Sequence, residues 1–165
     1  MKRIFVIAAM VLGILVFGIE FKLGFSYESF TLSSTPNLGL SFYGPEIDVF
    51  TSSGKDVSMG LGLGLKFTSS STDTEISPYT LEIFSSSVYK GRLTRSMRIE
   101  VHSKGGASIP NMKFENTGFF AEVSILFYLN FYGWDFGFGG GIKSYSFESY
   151  SATYIPLKMF VGKVF

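Results

Sequence analysis

Residues 57–67 read VSMGLGLGLKF, with an apolar side chain at every second position and small residues filling most of the gaps. Val57, Met59, Leu61, Leu63, Leu65 and Phe67 form one row; Ser58, Gly60, Gly62, Gly64 and Lys66 form the other. A period of two marks a β-strand, because successive side chains point to opposite faces. Which face each row occupies decides whether this is a soluble barrel around a ligand or a barrel standing in lipid.

The same alternation recurs along the chain. Ile19, Phe21, Leu23, Phe25 and Tyr27 make the first row. Leu38, Leu40 and Phe42 begin a second, which is expected to change parity after Gly44-Pro45 and continue as Ile47 and Val49, as a bulge would produce. After residues 57–67 come Tyr79, Leu81 and Ile83, with Ser85, Ser86 and Ser87 blurring the pattern. Leu93, Met97, Ile99 and Val101 follow, then Phe119, Ala121, Val123, Ile125, Phe127 and Leu129. Trp134, Phe136, Phe138 and Ile142, and finally Ile155, Leu157, Met159, Val161 and Phe165, complete the set. This predicts about eight strands of about 10 to 13 residues, each long enough to cross a bilayer when tilted. The expected turns at one end are short: Thr51–Asp56, Lys90-Gly91 and Tyr132-Gly133. At the other end they are longer and polar: Ser33–Asn37, Ser69–Glu75, Ser103–Asn116 and Glu148–Ser151. Short turns on one side and longer loops on the other are the up-and-down arrangement of an outer-membrane barrel.

The second row settles the direction. Gly60, Gly62 and Gly64 recur as Gly137, Gly139 and Gly141. Glycine weakens a solvent-facing strand but makes room inside a narrow barrel. The same row carries Glu20, Lys22, Glu28, Glu46, Asp48, Lys66, Glu82, Arg98, Glu100, Glu122, Asp135, Lys143 and Lys158. Acids and bases are both well represented, so this row is expected to form a polar lumen that pairs with itself. Leu61, Leu63, Leu65, Val123, Ile125, Phe127, Phe136 and Phe138 are then expected to face lipid. Arg95 and Lys163 fall on the apolar row, at the start of the fifth strand and the end of the eighth. With the N-terminus on the periplasmic side both meet the membrane interface, where a charge costs about 0 to 1 kcal/mol. Tyr89, Phe131, Tyr132, Trp134 and Phe165 gather at that border as half of an aromatic girdle.

Residues 1–18 read as a secretory signal: Lys2 and Arg3, then an apolar run from Ile4, with Val16 and Gly18 offering a cleavage site before Ile19 or Glu20. The run of about 16 apolar residues is short for a spanning helix. Residues 19–165 are expected to form one barrel domain. There is no cysteine, formal net charge is +1, and no basic run suggests nucleic acid. A single histidine without cysteine excludes the usual zinc spacings, and Asp48, Asp56 and Asp73 make no calcium loop, so no cofactor is expected. The glycines of residues 60–64 have the wrong spacing for a dinucleotide fingerprint and open no helix.

On GLGLGLKF (residues 60–67), GFGGGIKSY (137–145) and the C-terminal LKMFVGKVF (157–165), the chain resembles the small outer-membrane β-barrel proteins of the OmpA-barrel and OmpX type. The resemblance implies an eight-stranded antiparallel monomer in the bacterial outer membrane, embedded in its lipid. It also implies roles in envelope integrity, adhesion or host contact, and presentation of the terminal Phe165 to the barrel-assembly machinery. A non-enzymatic surface role follows, with the outward loops making any extracellular contact; Ser103–Asn116, with Lys104, Gly105, Gly106, Lys113 and Glu115, is the longest of them.

Three alternatives stand beside this. RIEVHSKGGASIPN (98–111) is loosely similar to the motif region of the outer-membrane lipid A deacylases. That resemblance makes His102 the base and Ser103 the nucleophile, with Glu100 on the face of His102 to orient it. In a continuing strand, however, His102 and Ser103 face opposite sides. A channel is opposed by large lumen residues such as Arg98, Lys143, Tyr145 and Phe160 in a barrel of this strand number. A soluble lipocalin-like ligand barrel shares the periodicity and differs in which row points inward.

Overall fold

The computed structural model describes residues 19–35, 40–52, 56–70, 78–148 and 150–164. Eight strands run in sequence order: β1 (Ile19–Thr35), β2 (Leu40–Ser52), β3 (Val57–Ser70), β4 (Tyr79–Arg92), β5 (Met97–Pro110), β6 (Gly118–Phe131), β7 (Trp134–Ser146) and β8 (Ser151–Val164). Each pairs antiparallel with its neighbours, and β8 closes on β1, giving an up-and-down barrel with no open edge. Residues 1–18, expected from the sequence to be a secretory signal, and Phe165 lie outside the described residues. We call the end where β1 begins and β8 ends the terminal rim, and the opposite end the loop rim.

Alternation is converted directly into two surfaces. Leu61, Leu63, Val123, Ile125, Phe127, Phe136 and Phe138 are exposed on the outer wall, and Leu65 is half-buried there. Leu61 is 70% exposed and Phe138 55%. The opposite row is buried in the lumen, with Lys22, Glu28, Lys66, Glu82, Glu100 and Lys143 at 0% exposure. A soluble ligand barrel would show the reverse, so the wall is built for an apolar surrounding.

The glycines answer the packing question in detail. Four of them face a ring on a neighbouring strand in register: Gly24 opposite Phe160, Gly62 opposite Phe84, Gly106 between Phe84 and Phe120, Gly137 between Tyr128 and Phe160. A Cβ added at Gly24 would fall on the Phe160 ring, at Gly62 on the Phe84 ring, and at Gly137 on the Tyr128 ring. Large inward rings therefore lie flat over bare backbone, the cross-strand aromatic–glycine pairing that lets a narrow barrel fill without overpacking.

Several boundaries differ from the sequence expectation. Lys90 and Gly91 are the end of β4, and the turn lies at residues 93–96. There Thr94 Oγ1 accepts from the amides of Ser96 (3.3 Å) and Met97 (3.1 Å), so a threonine side chain closes the turn and no positive-φ glycine is needed. Leu93 and Arg95 consequently sit in this turn and not on the fifth strand. Residues 103–110 are strand, not loop: the β4–β5 ladder runs unbroken from Arg92–Arg98 to Thr80–Pro110, and only 111–117 connect β5 to β6, with a 3-10 turn at Phe114–Asn116. Likewise β1 continues through Thr35, with its register shifts at Tyr27/Phe30 and Thr31/Ser33 against β8. No parity change occurs at Gly44-Pro45. Leu40 and Phe42 already point into the lumen, Tyr43 points out, and the β1–β2 register passes through Pro45 without a break. The Tyr132-Gly133 turn is as expected, with φ of 51° and 77° in a two-residue hairpin joining Phe131 to Trp134.

Candidate functional site

The lumen holds the densest chemistry in the molecule. Strand parity places eight buried carboxylates there (Glu20, Glu28, Glu46, Asp48, Glu82, Glu100, Glu122 and Asp135) against five buried lysines (Lys22, Lys66, Lys104, Lys143 and Lys158). Arg98 and Lys90, partly exposed at the terminal rim, bring the signs close to balance. A buried charge is tolerated only when paired and hydrogen-bonded, and each of these layers supplies its own partners.

Nearest the terminal rim, Glu100 is the hub. It accepts from Arg98 Nε (2.6 Å), Lys22 Nζ (2.5 Å) and His102 Nε2 (2.7 Å). Arg98 Nη1 also bridges to Asp135 (2.8 Å), and Lys90 pairs with Glu20. Lys22 and Arg98 lie over the Tyr128 ring at 4.6 and 4.7 Å from its centroid, adding cation–π attraction. At mid-height Glu46 meets three lysines: Lys104 (3.0 Å), Lys158 (3.1 Å) and Lys66 (3.3 Å). Lys104 also holds Asp48 (2.6 Å), and Lys158 holds Glu122 (2.7 Å). Above this, Lys143 joins Glu82 (2.7 Å) to Glu28 (3.1 Å), while the Tyr145 hydroxyl, with its single proton, lies within hydrogen-bond distance of both, at 2.6 and 2.7 Å. Toward the loop rim the lumen turns apolar: Leu40, Phe42, Phe84, Phe120, Tyr145, Ala152 and Tyr154 pack together, with Phe147 and Tyr150 against them.

All ten residues read from the sequence as lumen charges lie in these layers. Sequence reasoning misses Lys104. It places this lysine in an outward loop with Gly105 and Gly106, whereas the side chain is buried and shared by Glu46 and Asp48. Its neighbours Ser103, Gly105 and Gly106 carry no apolar row, so the only signal is parity: Lys104 is two residues from His102, and hence on the same face.

The hydrolase arrangement is not assembled. His102 is buried in the lumen with Nε2 on Glu100, whereas Ser103 is exposed on the outer wall. His102 Nδ1 has no hydrogen-bond partner, and Ser124, the lumen residue opposite it in register, donates to Glu122 instead. No described serine is therefore placed for His102 to deprotonate, which a nucleophile and its base require. Among the described residues no group of acids and histidines is placed to hold a metal ion.

The outer wall has its own end markers. Tyr89, Phe131, Tyr132 and Trp134 are exposed at the terminal rim, and Lys163 lies 5.1 Å from the Trp134 ring centroid. A second row, not anticipated, runs in register near the loop rim: Tyr27 opposite Tyr43, Tyr43 opposite Phe67, Phe67 opposite Tyr79. Two aromatic rows flanking an apolar band are what a barrel presents to the two interfaces of a bilayer.

Comparison with solved structures matches this architecture. Neisserial surface protein A superposes with a TM-score of 0.65 at 11% sequence identity, over 90% of this chain and 97% of that one. The fold is that of the small outer-membrane barrels. An outer-membrane channel from Pseudomonas putida F1 aligns over 90% of this chain and 96% of that one, at 10% identity and a TM-score of 0.35. No protein-family model matches the chain, and no curated protein matches it in sequence.

Proposed function

We propose that this chain is a small resident barrel of the bacterial outer membrane, non-enzymatic and non-conducting, which supports the envelope and makes surface contacts through its loop rim. The observation that carries this reading is the pairing of an exposed apolar wall with a lumen whose charges are spent on one another. Among the described residues every buried lysine has at least one carboxylate within ion-pair distance, and Glu46, Glu100 and Glu122 each serve more than one cation. Such a lumen offers a substrate no unoccupied acid–base pair, and large rings at the loop-rim end oppose a water path.

In this reading residues 1–18 direct export and are removed, the barrel stands as a monomer in outer-membrane lipid, and the assembly machinery reads the C-terminal strand that ends at Phe165. The loop rim carries the contacts. Phe114 and Met112, exposed in the 111–117 connection beside Lys113 and Glu115, are the side chains it offers.

The deciding experiment is extraction and electrophoresis. The folded protein is expected to leave the envelope only with detergent and to migrate differently before and after boiling in SDS. Recovery as a soluble monomer without detergent overturns the membrane reading. Two assays test the rest. Purified barrel should cleave no acyl ester above background, and ester cleavage lost in both His102→Ala and Ser103→Ala would favour the enzyme. Large stable conductance steps in a planar bilayer would favour a pore.

A further inference from the structure

At the terminal rim, the 93–96 turn overhangs a cavity of about 360 Å³. Asp56, Lys90, Arg92, Thr94, Arg95 and Arg98 line it. Four cations and one acid is an unusual lining for a molecule whose other charges are matched so closely.

Two of the cations are already committed. Lys90 pairs with Glu20, and Arg98 uses Nε and Nη1 on Glu100 and Asp135. The remaining nitrogen of Arg98, Nη2, is buried without a hydrogen bond and faces Glu20 Oε1 at ion-pair distance, 3.5 Å. Arg92 donates Nε to the Thr94 carbonyl (3.1 Å), and among the described residues its two terminal nitrogens have no partner. Neither Arg92 nor Arg95 has a carboxylate within ion-pair distance among the described residues. Arg92 also stands directly opposite Arg98 in the β4–β5 ladder. Like charges in direct cross-strand register repel; Glu100 and Asp135 offset the charge of Arg98, and Arg92 is left with no carboxylate of its own among the described residues.

We propose that this cavity binds a phosphate group, held by the guanidiniums of Arg92 and Arg95 with the Thr94 hydroxyl as a further donor. Guanidinium forks match the oxygens of phosphate in pairs, and a tetrahedral group with three or four acceptor oxygens can engage several donors at once. A carboxylate, with two oxygens, would leave part of this donor set unused. The group can come from a free phosphate or from a phospholipid headgroup. The outer wall beside the cavity presents Leu93 (55% exposed) and Met97 (40% exposed), an apolar seat for acyl chains if the source is lipid. The inference depends on the rim geometry alone and stands whatever the loop rim contacts.

The test uses the full barrel folded in a maltoside detergent, which contains no phosphate. Inorganic phosphate and a short-chain phosphatidylglycerol below its micellar concentration are titrated separately, each followed by amide NMR shifts of residues 92–98. Saturable shifts confined to this turn are expected with at least one probe. Arg95→Gln, exposed in the turn and outside the lumen network, should weaken binding about tenfold, as loss of one charge-assisted donor pair implies. Arg92→Gln should do the same, while Lys113→Gln at the opposite rim should leave it unchanged. Heat-shifted migration checks that each variant is folded. Tighter binding of the phosphatidylglycerol assigns the site to lipid, and equal or weaker binding assigns it to a free phosphate. Absence of a saturable shift with both probes, or equal affinity in the Arg92→Gln/Arg95→Gln double variant, overturns the proposal.

Discussion

Glu46 shows how single residues hold this barrel. Its two oxygens serve Lys66, Lys104 and Lys158, which arrive from β3, β5 and β8, so one side chain on β2 ties four strands across the lumen. Glu46→Ala leaves three buried lysines short of an anion. Breaking a buried ion pair by removing one partner typically costs about 3 to 5 kcal/mol. We expect a loss of that size in urea unfolding from lipid vesicles, read by the fluorescence of Trp134, the only tryptophan. Unfolding at the wild-type urea concentration would show that the network contributes nothing. On the other face of the wall, Leu63→Arg puts a charge on the exposed apolar band and should destabilise by about 2 to 4 kcal/mol in the same assay. Wild-type folding of this variant into liposomes would mean that the face assignment is wrong. Gly62→Arg should fail for a different reason, since even a Cβ there meets the Phe84 ring and comes within 2.6 Å of Asp48 Oδ1.

Neighbouring glycines on β5 separate at the scale of the element. Gly106 faces inward, where a Cβ would strike the Ile83 carbonyl and come within 2.6 Å of Phe84 Cα. Backbone cannot step aside as a side-chain tip can, so Gly106→Ala should cost about 1 to 3 kcal/mol as an overpacked site. Gly105 faces outward, where the nearest atom to an added Cβ is Phe120 O at 3.8 Å. Gly105→Ala should be neutral or stabilise by up to about 1 kcal/mol, because alanine narrows the unfolded ensemble. Paired unfolding curves of the two variants check this, and equal effects would mean that β5 pairs with its neighbours in a different register. The same strand explains why the sequence misleads at this point. Ser103, Gly105 and Ala107 occupy its outer positions and give no apolar row, so hydropathy alone reads a loop. What makes it a strand is an unbroken ladder on both sides, to β4 and to β6.

At the scale of the molecule, closure of β1 on β8 leaves the connections as the places where the chain is free to vary. The 111–117 connection lies beyond both ladders, so an inserted epitope there should leave heat-modifiable migration intact and become accessible to antibody on whole cells. An insertion in the 93–96 turn should instead disturb Arg92 and Arg98 and alter the rim cavity. Failure of the 111–117 insertion to reach the cell surface would reverse the orientation proposed for the barrel.

The alternation by itself determined strand number, the inward or outward sense of most side chains, and the two-residue Tyr132-Gly133 hairpin. These follow from local rules: a period of two, glycine where a large ring must lie flat, and positive φ in a tight turn. Tertiary structure alone decided three things. Leu40 and Phe42 look like wall residues in the sequence, but the pairing of β2 with β1 and β3 sends them into the lumen, where they join the aromatic layer near the loop rim. Lys104 became a lumen charge because β5 is held as strand by its two neighbours. Which acid meets which base was also beyond the sequence, since Lys143 and Glu28 are separated by 115 residues and face each other only once the sheet has closed. Parity is a property of one strand, whereas partners across a lumen are a property of the closed barrel, set by the stagger between strands.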